Sequence, residues 1–292
     1  MGFRDDLDDI IQREQPLAPF THLQLGGPAE FLVTPRSREE LAKVIVAFAS
    51  EKIPLRVLGI GTNLLVRDEG IRGAVIRLTA PCFTEIKVDG KRLKTGGGAT
   101  LSTVIAEASL HGLAGFETLV GIAATIGGAL RCNAGDRAGE MADHVKRIEV
   151  MDERGQVLTR ERSEMHFGDH TSDIEEPVVL AVEFELIKDS PDAIVKRLRR
   201  AWINRKATQP FSFQAAVRMF KNPRGYQVTA LIEKAGLAKA RVGAAEISER
   251  NGNYLVAHPG TTAKDVLQLM DQVQRRVRES SGVTIERELT VW

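Results

Sequence analysis

The sequence predicts a mixed helix-and-strand protein with room for two domains, and three observations carry that reading. Its 292 residues are 43% hydrophobic and 27% charged, an ordinary balance for a chain that builds proper cores. Short strand patterns alternate with amphipathic helical patterns from end to end. Glycine clusters fall at the boundaries between them, around positions 59, 97 and 127. Forty Lys and Arg against 39 Asp and Glu leave a net charge of +1, so no global attraction to nucleic acid or anionic membrane is expected and any anion site must be local. Cys82 and Cys132 show neither metal spacing nor a disulfide framework, which suits a reducing cytoplasm. No apolar run reaches membrane-spanning length, and the opening MGFRDDLDDI is acidic where a signal peptide is basic. A cytoplasmic protein with no membrane partner is expected.

The elements run in order along the chain. Asp5 to Gln15 reads as a short polar helix with Leu7, Ile10 and Ile11 as its apolar stripe. Phe20, Leu23 and Leu25, then Phe31 to Val33, read as two strands around the turn at Gly26, Gly27 and Pro28. Ser37 with Glu40 forms a capping-box signal for a helix through Leu41, Val44, Ile45 and Phe48, ending near Ser50. Strands are expected at Leu55 to Leu58, Gly73 to Leu78, Arg147 to Asp152, Val157 to Arg160 and Val178 to Leu186, with Gly155 turning one hairpin. Two long helices close the chain's second half, Asp192 to Lys206 with Ile194, Leu198 and Trp202 in register, and Ala263 to Arg278. The arginines at 197, 199, 200 and 205 on the first of these read chiefly as a solvated face.

The glycine loops carry the chemistry. Gly59 to Asn63 follows a strand and can present several amides to a phosphate as an anion nest. It is not the dinucleotide fingerprint, because the third glycine and the helix after it are missing. Gly96, Gly97 and Gly98 precede a helix with Leu101, Val104, Ile105 and Ala108 on one face. The densest stretch, Leu119 to Asp136, reads LVGIAATIGGALRCNAGD, where small residues let the backbone approach something flat or charged. One such loop is usually a turn. Three in one region point to a long cofactor that carries phosphates. His22, His111, His144, His166 and His258 have no ligand spacing, and no metal site is expected.

The blocks PLRVLGIGTNLLV, TGGGATL and GFETLVGIAATIGGALRCNAGD, in that order, resemble the FAD-binding region of the MurB family of UDP-N-acetylenolpyruvoylglucosamine reductases. MHFGDHTSD, QPFSFQAAVRMFKNP, LIEKAGL, VGAAEIS and IERELTVW extend the likeness from about Phe20 to Trp292. The resemblance implies an α+β protein with an FAD-binding fold of the vanillyl-alcohol oxidase/PCMH type and a C-terminal α+β substrate-binding domain. The domains would be 1–190, as two subdomains of about 1–80 and 81–190, and 191–292. It also implies hydride transfer from NADPH through FAD to the enolpyruvyl double bond of a UDP-sugar, in peptidoglycan precursor synthesis, by a monomer.

Carried over by position, Gly59, Ile60, Gly61, Thr62, Asn63 and Leu64 cradle the pyrophosphate. Gly97, Gly98 and Ala99 supply a second loop. Gly121, Ile122, Ala123, Ala124, Thr125, Gly127 and Gly128 line the isoalloxazine, and Asn133, Ala134 and Gly135 support it. Lys221 and Asn222, assisted by Gln209, face the substrate. The reaction centre departs from the family. Arg218 stands where the proton-donating serine belongs, and Val217 replaces its glycine. Asp169 and His170 replace the Tyr-Arg pair, Val228 and Thr229 replace the Ala-Gly before LIE, and the HxNF block is Asn251 to Tyr254. Glu288 is kept, with Glu286 its alternative if the register slips. Three readings remain open: a reductase in which Arg218 stabilises charge and His170 or a solvent-fed relay supplies the proton; an FAD oxidoreductase for another acidic substrate held by Arg218 and Lys221; and a flavin-binding module without turnover.

Overall fold

A computed structural model describes residues 7–136, 138–210 and 215–292. They form two compact units. Unit 1 takes the chain up to Glu14, Phe31–Ile60 and Arg72–Asn204; unit 2 takes Gln15–Glu30, Gly61–Ile71 and Arg205–Trp292.

Unit 1 holds a five-stranded antiparallel sheet in the spatial order Val157–Glu161, Val145–Met151, Val178–Glu185, Arg92–Gly96, Ile86–Asp89. The middle strand, VVLAVEFE, is buried along all but its last residue, as the apolar run Val178 to Val182 requires of a strand covered on both faces, and its one buried charge, Glu183, pairs with Arg147 at 2.7 Å. Gly155 turns the hairpin with φ +72°, while the Asp152 carboxylate accepts the amides of Arg154 and Gln156 at 2.9 and 2.8 Å. A four-stranded sheet runs in the order Ile11–Pro16, Pro28–Val33, Ile71–Ile76, Leu55–Val57, and its last pair is parallel. The helix Arg38–Ser50 crosses between strands, burying Leu41, Val44, Ile45 and Phe48, with the Phe48 ring edge-on to Phe31 at 5.4 Å. Ser37 caps it by accepting the Glu40 amide at 3.2 Å. The capping box is only half made, because the Glu40 carboxylate takes the Arg36 amide at 2.7 Å instead.

Two expectations near the N-terminus are corrected. Asp5 and Asp6 lie outside the described residues, and from Asp8 the chain makes one 3-10 turn to Ile10 and then the strand Ile11–Pro16. Leu7 and Ile10 are buried in the core of unit 1, while residues 12–14 are exposed in succession along a strand at the edge of its sheet. Phe20 to Leu25 is not a strand either. It is a 3-10 turn at Ala18–Phe20 followed by a loop that Thr21 ties down, its hydroxyl donating to the Leu25 carbonyl at 2.8 Å. Trp202, expected in register with Ile194 and Leu198, is 43% exposed on the helix Pro191–Thr208, whereas Ile194 is buried.

Unit 2 is built on an antiparallel sheet ordered Ala216–Arg218, Tyr254–Ala257, Ala245–Ile247, Arg241–Val242. The helix Ala263–Ser281 buries Val266, Leu269, Met270, Val273 and Val277 in its core, each worth about 1.5–3 kcal/mol. Its start is doubly capped. Thr262 and Asp265 form a capping box, and the Asp68 carboxylate accepts the amides of Ala263 and Lys264 at 2.8 and 3.0 Å. Gly282, at φ +70°, ends it.

The triple glycine has a packing role. A Cβ on Gly98 would stand 1.9 Å from the Leu78 carbonyl oxygen, and one on Gly97 2.1 Å from that of Val179. Gly98→Ala is therefore expected to destabilise unit 1 by about 1–3 kcal/mol or more, since backbone must move. Thermal unfolding measures it; an unchanged midpoint refutes the packing role.

Candidate functional site

In unit 1 the three glycine loops converge. Thr125 pairs across from Thr100 in an isolated antiparallel bridge, and Ile126 and Gly127 donate to the carbonyls of Ala99 and Gly97, both at 2.8 Å. Leu101 returns a bond to the Ala124 carbonyl at 2.9 Å. A Cβ on Gly59 would sit 2.5 Å from Thr125 Oγ1, so the first loop reaches the same place. A side chain at position 59 would have to displace the Thr125 hydroxyl. The stretch is turned outward, with Gly121 and Gly128 exposed and Ile122, Ala124 and Thr125 half-buried. Gly121 has φ +82°, and Thr125 caps the helix Ile126–Arg131 by accepting the Gly128 amide at 3.3 Å. The amides of Gly59, Ile60, Gly121, Ala124 and Thr125 enter no backbone hydrogen bond among the described residues. Together they make a surface rich in N–H donors and free of bulk.

Other residues assigned from the sequence face inward. Ala99 and Leu64 are buried, as are Asn133 and Ala134. The Asn133 side chain donates to Glu140 Oε2 at 2.6 Å and to the Gly168 carbonyl at 3.0 Å, and its oxygen accepts the Ala142 amide at 3.1 Å. Gly135 leaves room for the Gly139 carbonyl, 2.4 Å from where a Cβ would stand. These residues brace the stretch from behind. His170 lies in unit 1 at the turn of the hairpin pairing Phe167–Gly168 with Thr171–Ser172, its φ is +54°, and its Nε2 is 3.8 Å from Asp169 Oδ1. The same hairpin is tied to the stretch by the Ser172 hydroxyl, which donates to the Arg131 carbonyl at 3.0 Å.

Unit 2 carries the charged cluster. The Gly61 carbonyl accepts the His22 amide at 3.1 Å, and the loop from Gly61 ends at Asn63, whose side chain donates to the Glu288 carbonyl at 3.1 Å. Leu64–Leu65 then pair in parallel with Thr290–Val291. Glu288 donates its amide to the Met219 carbonyl at 2.9 Å, and Lys221 donates to the Glu286 carbonyl at 2.9 Å, so the segments 219–221 and 286–288 run side by side. The outcome is an ion pair: Arg218 Nε lies 3.0 Å from Glu288 Oε2, and both side chains are largely shielded. Glu286, the alternative acid, is exposed. Asn222 accepts the Val228 amide at 3.0 Å and so anchors the helix Val228–Lys234. Lys221 and Gln209 are half-buried; Phe211 to Gln214, within the same sequence block, lie outside the described residues.

Two residues here were not assigned a role from the sequence. Asn253 is buried and replaces missing sheet bonds, donating to the Phe220 carbonyl at 2.7 Å and accepting its amide at 3.1 Å. Tyr254 sits directly opposite Arg218 in the ladder. Burial pushes its hydroxyl pKa above the usual tyrosine value; Arg218 and Arg205 draw it down and Glu288 raises it. Only the strand register reveals that neighbour.

The chain's relatives are consistent across its length. Residues 29–160 match the family described as FAD binding domain, and residues 209–292 match UDP-N-acetylenolpyruvoylglucosamine reductase, C-terminal domain. The UDP-N-acetylenolpyruvoylglucosamine reductase of Moorella thermoacetica is 38% identical, over 97% of this chain and 93% of its own. That of Caldanaerobacter subterraneus subsp. tengcongensis is 36% identical over 98% and 97%. The crystal structure of UDP-N-acetylenolpyruvylglucosamine reductase (MurB) from Thermus caldophilus superposes with a TM-score of 0.83 at 38% identity, covering 97% of this chain and 98% of that one.

The Asn253 bracket predicts a stability effect. Asn253→Leu strips partners from the buried Phe220 amide and carbonyl and is expected to cost about 1–3 kcal/mol for each. Urea unfolding measures the loss, and a variant as stable as the parent removes the bracket from the account.

Proposed function

The chain belongs to the UDP-N-acetylenolpyruvoylglucosamine reductase family, and from that premise we infer that it runs the family's reduction with a rearranged set of polar side chains. It is a flavin-dependent oxidoreductase of α+β fold; FAD is its cofactor and NADPH its reductant. The residues of unit 1 fit that cofactor. Gly59 leaves the space a Cβ would fill, and the outward amides of Gly59, Ile60, Gly121, Ala124 and Thr125 suit a flat, phosphate-bearing group. Gly97, Gly98 and Ala99 hold the backbone to which that surface is zipped. FAD when bound supplies the hydride that adds to the terminal carbon of an enolpyruvyl ether.

The protein's task is to hold the substrate carboxylate and the charge that grows on it during addition. Arg218 supplies a permanent cation on a strand, steadied by Glu288 at 3.0 Å. That ion pair is the observation that carries the reading. A guanidinium is a poor acid, so Arg218 substitutes for charge stabilisation and not for proton donation. His170 puts a titratable ring at the place of the family's arginine, and Lys221, Asn222 and Gln209 are the proposed contacts to the UDP-sugar. We place the reaction in the cytoplasm, on a soluble nucleotide sugar in cell-wall precursor synthesis, by a monomer. No described helix is long and apolar enough to cross a membrane.

The test is an anaerobic half-reaction: bleach the flavin with NADPH, add the enolpyruvyl UDP-sugar and follow reoxidation. The parent is expected to reoxidise. Arg218→Ala is expected to lose at least about 10²-fold in that step while keeping its flavin absorbance. A parent that bleaches yet ignores this substrate serves another one; a parent that never bleaches is a binding module. An Arg218→Ala variant at the parent rate sinks the role given to Arg218.

A further inference from the structure

The reduction needs a proton as well as a hydride, and the residues assigned so far leave its source open. Arg218 cannot give one up near neutral pH, and Glu288 is held against Arg218 as a partner for its charge. The strand register supplies a third group. Arg218 and Tyr254 are direct partners in the antiparallel ladder of Ala216–Arg218 with Tyr254–Ala257. Residues opposite one another project from the same face of a sheet with Cβ atoms about 4.5–5.5 Å apart. Tyr254 thus shares a face with Arg218, and through it with Glu288, all within unit 2. Asn253 fixes the backbone on both sides, because its carbonyl accepts the Met219 amide at 2.9 Å and its side chain brackets Phe220.

We propose that Tyr254 is the general acid of this chain, delivering its phenolic proton to the carbon that bears the ether oxygen and the carboxylate. The proposal rests on the reductase reading above. The balance is complete. The hydride's electron pair forms the new C–H bond at the terminal carbon as the C=C π bond breaks, leaving a carbanion delocalised into the carboxylate. The O–H bond of Tyr254 breaks and its proton forms the second C–H bond. The phenolate left behind faces Arg218, and water reprotonates it, so nothing beyond the substrate and the reductant changes oxidation state. The charged groups acting on the hydroxyl are Arg218 from its partner strand, Glu288 from the C-terminal segment and Arg205 from the helix Pro191–Thr208. Their balance, with burial, keeps the hydroxyl protonated at neutral pH, as a donor must be.

Tyr254→Phe keeps the ring and removes the acid. It is expected to slow reoxidation of the bleached flavin by about 10²- to 10⁴-fold, with substrate affinity within about threefold of the parent and flavin absorbance unchanged. A variant that reoxidises at the parent rate overturns the assignment while leaving the reductase reading intact. A parent that does not reoxidise overturns both, so the two failures are distinguishable. A second readout needs no turnover. The chain has only two tyrosines, so the holoenzyme labelled with ¹³C at tyrosine Cζ gives two resonances, separated by the Tyr254→Phe spectrum. Tyr254 is expected to stay protonated through the usual tyrosine range, and Glu288→Gln to move its midpoint down. An ordinary tyrosine midpoint, or one indifferent to Glu288→Gln, means that the cluster is not coupled and overturns the proposal.

Discussion

Glu288 is held by its backbone on both sides, and the charged cluster of unit 2 depends on that constraint. Its amide is given to the Met219 carbonyl at 2.9 Å and its carbonyl is taken by the Asn63 side chain at 3.1 Å. With both peptide groups committed, the carboxylate has little freedom left and meets the Arg218 guanidinium at 3.0 Å. Breaking a shielded pair of this kind leaves a charge without its counterpart, and that asymmetry makes each partner depend on the other. Arg218 in turn takes its position from the ladder with Tyr254, and the strand keeps its path past Arg218 only because Asn253 supplies the bonds a neighbouring strand would.

Unit 1 solves a different problem, bringing three loops to one place without side chains in the way. Hydrogen bonds from Ile126 and Gly127 to Ala99 and Gly97 set the spacing, and the glycines make it sterically attainable. Behind this surface, Asn133 ties the stretch to Glu140 and Gly168, and Arg131 ties it to a more distant segment, its guanidinium donating to the Ile174 carbonyl at 2.8 Å and also to the carbonyl of Glu176. Burial pulls the Arg131 pKa down, the expected cost of taking a cation out of water to make those bonds. The outer side of the stretch is accordingly soft in chemistry and rigid in shape, which is what positioning a cofactor requires.

Much of the fold was legible because it rests on local pattern. The helix at Arg38–Ser50, its Ser37 cap, the buried run at Val178–Glu185 and the hairpin at Gly155 all announce themselves by period or by turn residue. The N-terminal segment misled because Leu7, Ile10 and Ile11 fit a helical stripe, whereas a place at a sheet edge decided the outcome. Within the site, the glycine loops were visible, but the reasons for individual glycines were not. Gly97 and Gly98 yield to the carbonyls of Val179 and Leu78, neither of them a neighbour along the chain. Asn253 and Tyr254 were quoted as a sequence block without a role, since their importance lies in which residues face them across a ladder, and pairing of that kind has no signature along one strand.

The tether from Asn63 to Glu288 joins positions 225 apart in the chain. The parallel pairing of Leu64–Leu65 with Thr290–Val291 and the capping of Ala263 by Asp68 span similar distances. The segment Gly61–Ile71 also has early partners, since the Gly61 carbonyl accepts the His22 amide and the Arg67 carbonyl that of Gly27, but these later contacts need the C-terminal part of the chain. The loop that leads from the glycine nest and the acid at the far end of the chain therefore mature together, in one late closing event of high contact order.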